Sequence, residues 1–199
     1  MRVAYPTSPA QYFHILRRQA KDPVRRPLVL MQPKSMLRLP AAASKLTELT
    51  EGGFKRVIDD PGVERRDEVT RLVFTTGKLY YELVAEGKPN HIAVARVEEL
   101  YPWPHEELSR TVDAYPNVVE IVWAQEEPKN MGAWSFVAPR LRASAGNALI
   151  IRYVGRPERA SPAEGFFASH QAEQARIVSE AWAAPNVAGL RAPRLGAAR

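Results

Sequence analysis

Two adjacent carboxylates, Glu126 and Glu127, are the strongest candidates for chemistry in this sequence. They lie in the stretch VWAQEEPKNMGAW, between an apolar run and Trp134. The apolar run is typical of a buried strand, and open α/β sheets bind their ligands just past the carboxyl ends of strands. The position is therefore one where an acid/base pair could act.

The alternative is that this stretch is a structural joint. Adjacent residues on an extended segment point to opposite sides, so Glu126 and Glu127 would not reach one substrate atom together. Acids also suit the amino terminus of the helix predicted to follow, because its N–H groups and dipole favour negative charge. We favour a structural role for Glu126, Glu127 and Trp134 over catalysis.

A second candidate is Thr75-Thr76-Gly77-Lys78, which lies between a predicted strand and a predicted helix. A phosphate-binding loop would have a second glycine earlier, separated from Gly77 by four residues, and a Ser or Thr after the lysine, and neither is present. We therefore interpret the segment as a tight strand-to-helix turn.

Other catalytic and metal-binding chemistry has little support. The sequence has no cysteine, and its four histidines are far apart without a second histidine or paired acid at metal-ligand spacing. No Gly-x-Ser-x-Gly elbow or Ser/His/Asp set is present. We predict no metal site and no catalytic residue in this chain.

The composition indicates a globular protein. With 199 residues, 45% of them hydrophobic, the chain suits one large domain or one domain plus a fragment. No apolar run approaches the roughly 20 residues that cross a bilayer, and the first residues do not form a signal peptide. Without cysteines, the simplest expected location is the cytoplasm, or the mitochondrial matrix in a eukaryote.

The net charge of +6 is concentrated at the start of the chain, where residues 1–45 hold nine Lys or Arg and one acid. Such a basic face could bind nucleic acid, a phosphorylated ligand or an acidic partner, and a solvated helix face explains it equally well. No aromatic-basic platform supports nucleic acid. Seven of the nine basic residues make up the candidate basic face: Arg17, Arg18, Lys21, Arg25, Arg26, Lys34 and Arg38.

The hydrophobic pattern predicts a mainly parallel, three-layer α/β fold. Ser8 and Pro9 mark the start of a helix that ends at about Lys21, between short strands at 3–5 and 28–31. The strand at 28–31 is apolar throughout, as in strands covered on both faces. Further strands are predicted at 72–74, 92–97, 118–123 and 149–154, alternating with helices at 79–86, 105–114, 133–143 and 169–183, and a polar connection at 32–71 includes one helix at 42–51.

Six motifs, in order, resemble the C-terminal end of the decarboxylating, first component of the 2-oxoglutarate dehydrogenase complex. The likeness runs from Met1 to about Ala183, apart from residues 57–69. The motifs are PTSPAQYFHILRRQ, RRPLVLMQPKSMLR, TTGKLYYELV, IAVARVEELYPWP, QEEPKNMGAW and YVGRPERASPAEGF.

The resemblance implies a division of the chain. Residues 1–40 would end the pyrimidine-binding domain, residues 41–185 would form a transketolase-like C-terminal domain, and 186–199 would be a disordered tail. The strand near the first residue is then one of a larger sheet, so the chain looks like a fragment that begins within a fold.

The resemblance also implies an activity for the whole enzyme. In the family, thiamine diphosphate and Mg²⁺ support decarboxylation of 2-oxoglutarate and transfer of the succinyl group to a lipoyl carrier, in the tricarboxylic acid cycle. The family's Gly-Asp-Gly motif is not in this sequence, and its catalytic histidines would precede Met1. We expect this chain alone to be structural or regulatory and not to bind thiamine diphosphate.

The expected partners are the rest of the decarboxylating component, a second copy in the homodimeric enzyme and the lipoyl succinyltransferase component. No nucleic acid or membrane partner is expected. Some actinobacterial relatives bind acetyl-CoA as an activator in this region, which makes a free-standing acetyl-CoA or polyanion-binding regulatory module the alternative. Cationic side chains suit the phosphates of that ligand; the matching positions are Arg18, Arg26, Lys55, Arg56 and Arg152.

Overall fold

The chain alternates short strands and helices, as the hydrophobic pattern predicts. A computed structural model describes residues 1–85, 87–146 and 149–183. The helices are α1 (Pro9–Lys21), α2 (Leu46–Thr50), α3 (Leu79–Ala85), α4 (His105–Asp113), α5 (Trp134–Ala145) and α6 (Phe167–Trp182). The strands are β1 (Arg2–Ala4), β2 (Leu28–Leu30), β3 (Val57–Ile58), β4 (Arg71–Thr75), β5 (Ile92–Val97), β6 (Glu99–Tyr101), β7 (Glu120–Pro128) and β8 (Ile150–Arg156).

The larger sheet has the strand order β3-β5-β4-β7-β8. The four strands predicted from apolar runs, β4, β5, β7 and β8, pair in parallel. The edge strand β3 was not predicted, and it pairs antiparallel with β5. The sheet is therefore mixed, with a parallel centre.

Helices cover both faces of this sheet, which gives three layers. Side chains alternate between the faces along each strand: Val73 of β4 packs with α3 and α6, whereas Leu72 and Phe74 pack with α4 and α5. Burial on both faces explains why most residues in the middle of these strands are apolar. The α/β class predicted from the sequence is confirmed.

A smaller sheet, of order β2-β1-β6, packs beside the larger one. β1 and β2 are connected by α1 and pair in parallel, as predicted. The unpredicted β6 pairs antiparallel with β1. The prediction that β2 is covered on both faces was wrong. This strand is an edge of the small sheet, and its Val29 is 41% exposed.

The connection between the sheets is less helical than predicted. The proposed helix at 42–51 is reduced to α2, and 3₁₀ turns occupy Lys34–Arg38 and Pro40–Ala42. Glu86, predicted to end the third helix, and the predicted disordered tail at 186–199 lie outside the described residues. Within those residues no helix is both long enough and apolar enough to span a bilayer.

Candidate functional site

The segment from Gln125 to Trp134 is a tight turn organised by the side chain of Gln125. Its Nε2 donates to the carbonyls of Glu127, Pro128 and Met131 at 2.9–3.2 Å. Its Oε1 accepts from the indole of Trp123 at 2.9 Å and from the backbone N–H of Trp134 at 3.0 Å. One buried amide thus fixes the connection from β7 to α5.

Glu126 and Glu127 face different surroundings, as expected for neighbours on an extended chain. Glu126 forms an ion pair with Lys78 and accepts from Gln174 Nε2 at 2.8 Å. Glu127 is exposed and lines a cavity. The two carboxylates do not converge on one point, which weakens the acid/base interpretation.

Burial and charge set the protonation of Glu126. Desolvation raises the pKa of this carboxyl, and the adjacent Lys78 ammonium opposes that shift. The expectation that these acids cap the following helix was wrong, because α5 begins only at Trp134 and has no acid in its first turn. Glu126 instead connects the β7 end to α3 and α6.

The Thr75-Thr76-Gly77-Lys78 turn is closed to phosphate. Gly77 has φ +64°, and the ring of Tyr5 lies so close that a Cβ on Gly77 would be 2.1 Å from it. Lys78 is held by Glu82 at 2.8 Å and by Glu126. The interpretation as a tight turn agrees with this geometry, and the glycine is required by both its conformation and its neighbour.

A cavity of about 560 Å³ lies where the two sheets meet. Tyr5, Met31 and Thr76 line it just past the carboxyl ends of β1, β2 and β4, and Glu127 lines it from β7. Most of the lining is apolar. Its size and position are those of a ligand site in an α/β protein.

A fully buried carboxyl joins the small sheet to the large one. Glu98 accepts from the backbone N–H of Thr7 at 2.8 Å, from the Thr7 hydroxyl at 2.5 Å and from Gln11 Nε2 at 3.4 Å. Desolvation raises its pKa, and these donors oppose the shift. Gln11 also bonds both ways with the backbone of Lys55, at 2.6 and 3.2 Å.

The residues proposed for acetyl-CoA divide into separate places. Arg18 and Arg56 converge on Glu99, whose side chain is 2% exposed. Arg56 also contacts Glu107 at 3.2 Å. Both guanidinium groups therefore already have carboxylate partners, which a ligand phosphate would have to displace.

The other three proposed residues are not part of that cluster. Arg26 and Lys55 are exposed. Arg152 lies on β8, whereas Arg56 precedes β3, so the two stand at opposite edges of the larger sheet. The acetyl-CoA site stays a prediction, and calorimetric titration with acetyl-CoA tests it.

Arg152 belongs to a buried network that the sequence analysis did not find. Its Nε donates to Glu120 at 2.7 Å, and Glu120 also pairs with Arg71 at the start of β4. Both arginines donate to carbonyls in the last turn of α6, those of Glu180 at 3.3 Å and Ala181 at 3.1 Å. The only signal in the sequence was a charged residue at the start of β4 and of β7, and another inside β8.

Metal chemistry has no evident place in the described part of the chain. No group of three His, Asp or Glu side chains converges there as ligands would. His14 Nε2 contacts the Glu48 carbonyl at 2.8 Å, and His105 Nδ1 contacts the Ser144 hydroxyl at 2.7 Å. The described residues therefore do not fit a Mg²⁺–diphosphate site, and no step through thiamine diphosphate is assigned to them.

Fold and site together define a three-layer α/β protein with a cavity at the carboxyl edge of its sheets. The sequence matches the profile of the 2-oxoglutarate dehydrogenase C-terminal family over residues 43–182, and the chain belongs to that family. The resemblance seen in the motifs is thereby confirmed.

Three curated relatives carry the name 2-oxoglutarate dehydrogenase E1 component. The protein from Exiguobacterium sp. (strain ATCC BAA-1283 / AT1b) is 50% identical over 189 residues, covering 90% of this chain and 20% of the relative. Those from Geobacillus sp. (strain WCH70) and Cupriavidus necator are 50% and 44% identical, covering 88% and 92% of this chain and 19% and 20% of the relatives. The chain thus spans about a fifth of the length of these relatives.

Proposed function

We propose that this chain serves as the C-terminal part of the decarboxylating component of a 2-oxoglutarate dehydrogenase complex. The observation that carries the proposal is 50% identity to a named E1 component over 90% of the chain. The whole enzyme would decarboxylate 2-oxoglutarate and pass the succinyl group to a lipoyl carrier. Thiamine diphosphate and Mg²⁺ would be held by other parts of that enzyme.

Within that enzyme, the part played by this chain is structural. Residues 41–185 would be the transketolase-like C-terminal domain, and residues 1–40 would complete the pyrimidine-binding domain. The contacts of Gln125 and Glu98 support such a role, because they fix one turn and one joint between sheets. The remaining polypeptide, a second copy and the lipoyl succinyltransferase would be its partners.

A chimera tests the proposal. The matching fifth of the Exiguobacterium E1 component is replaced by this chain, and 2-oxoglutarate-dependent reduction of ferricyanide is measured with thiamine diphosphate and Mg²⁺. A misplacement of about 1 Å in an active site can cost about 10²-fold in rate. If this chain fits the parent's fold, the displacement should be smaller, so we expect activity within about tenfold of the parent.

Two controls make the result decisive. The parent lacking its last fifth should be inactive, and the 199-residue chain alone should show no thiamine-dependent turnover. A chimera that is folded, dimeric and inactive would contradict the proposed role.

A further inference from the structure

The cavity between the two sheets contains one acid that the fold leaves available. Among the described residues, no Lys, Arg or His forms an ion pair with the Glu127 carboxylate, whereas Lys78 pairs with Glu126. A carboxylate beside an apolar cavity attracts a cationic ligand group.

The position of Glu127 is fixed by its backbone. Its carbonyl accepts from Gln125 Nε2 at 3.2 Å and from the Tyr153 hydroxyl at 3.0 Å. A Cβ on Gly132, which has φ +64°, would lie 3.0 Å from the Glu127 Cβ, so the turn packs closely against the residue. An acid held in this way needs little reorganisation to meet a ligand.

Aromatic rings line the same cavity. Tyr101 and Phe136 lie edge to face, with ring centroids 6.2 Å apart, and Tyr101 is 44% exposed. Arg140 already stacks on Phe136, 3.7 Å from its ring centroid. Tyr101 and Tyr5 are thus the rings left to a ligand, and ring faces attract ammonium groups. The nearby side chains of Val3, Met31 and Leu100 would cover its apolar body.

We propose that this cavity binds an organic cation, an ammonium group carried on an apolar body, with Glu127 as its counter-ion. The inference goes beyond the proposed function and does not depend on it. The amine is either a free small molecule or a lysine side chain of a partner, and the chemistry is the same for both.

Calorimetric titration of the 199-residue chain with three matched probes tests this. The probes are phenethylammonium, neutral 2-phenylethanol and anionic 3-phenylpropionate. We expect the cation to bind about fivefold more tightly than the alcohol, the ratio supplied by about 1 kcal/mol from an exposed carboxylate and one ring. The anion should bind most weakly.

Variants assign the effect to the cavity. Glu127→Gln should remove most of the cation's advantage over the alcohol, leaving only the contribution of the ring. The melting temperature should not fall, because the carboxylate is exposed. Glu106→Gln, which removes an exposed acid of α4, should leave the ratio unchanged. Tighter binding of N-acetyl-lysinamide than of phenethylammonium would identify a protein lysine as the source, and the reverse a free amine.

Equal affinities of the three probes in the parent chain would overturn the proposal. So would a preference for the cation that is as large in Glu127→Gln as in the parent chain, since the charge would then be recognised elsewhere.

Discussion

Gly77 shows how much one residue depends on its neighbours in this protein. Its positive φ would be strained in any residue with a Cβ, and the Tyr5 ring leaves that Cβ no space. The contact also ties the β1 end to the turn after β4. A glycine noticed as a phosphate-loop candidate is therefore a packing requirement.

Gly77→Ala should destabilise the chain much more than Gly52→Ala. Gly52 has φ +76° and no heavy atom within 4 Å of a Cβ, so its substitution adds only backbone strain, about 1 kcal/mol. At Gly77 the displaced tyrosine ring adds an overpacking cost, for a total of about 3 kcal/mol or more. Urea denaturation of both variants measures the difference, and equal losses would show that Tyr5 moves aside freely.

Single residues also show what sequence reasoning can reach. Ser8 and Pro9 were recognised as a helix start, and the Ser8 hydroxyl accepts from the Gln11 N–H at 3.3 Å. The opposite orientations of Glu126 and Glu127 followed from strand geometry. The partners of Arg152 did not, because Glu120 and Glu180 are distant in sequence and no local pattern joins them.

Among the described strands, all four longer ones were predicted, whereas two of the four short ones, β3 and β6, were missed. β4, β5, β7 and β8 have five to nine residues, long enough for their mostly apolar composition to be recognised. β3 and β6 have two and three residues, too few to show a period of two. β6 also follows β5 directly yet joins the other sheet, and only the tertiary structure determines that choice.

The last helix depends on charges at the opposite end of the sheet from the cavity. Glu120 pairs with both Arg71 and Arg152, and the Nη1 of each arginine donates to a carbonyl at the end of α6. Arginines at a helix C-terminus also interact favourably with its dipole. This network should therefore control whether α6 stays on the sheet.

Glu120→Gln should cost about 3 kcal/mol or more, because it leaves two arginines without a buried counter-ion. Hydrogen exchange should show the loss of protection first in the last turn of α6. The control is Glu68→Gln, which breaks an exposed pair with Arg65 and should cost below about 1 kcal/mol. Equal losses in the two variants would show that the network contributes nothing beyond a surface pair.

At the scale of the whole molecule, the larger sheet and its helices supply nearly all of the hydrophobic core. Both hydrophobic cores come almost entirely from residues after 42. The first 42 residues contribute two strands of three residues each and one helix. They join the rest through β6, Glu98 and the Tyr5 contact with Gly77.

The division predicted at residue 40 can therefore be tested by cutting the chain. A fragment of residues 43–199 should fold, because it keeps the five-stranded sheet and both helical layers, and its urea m-value should fall in proportion to the lost surface. Residues 1–42 alone should be unfolded, since so few strand residues cannot support a sheet. In the fragment, hydrogen exchange should remain slow in β4, β5 and β7 and become fast in β6, which loses its partner β1. An unfolded 43–199 fragment would mean that the small sheet is an integral part of one folding unit, and the proposed domain boundary would then describe sequence homology and not stability.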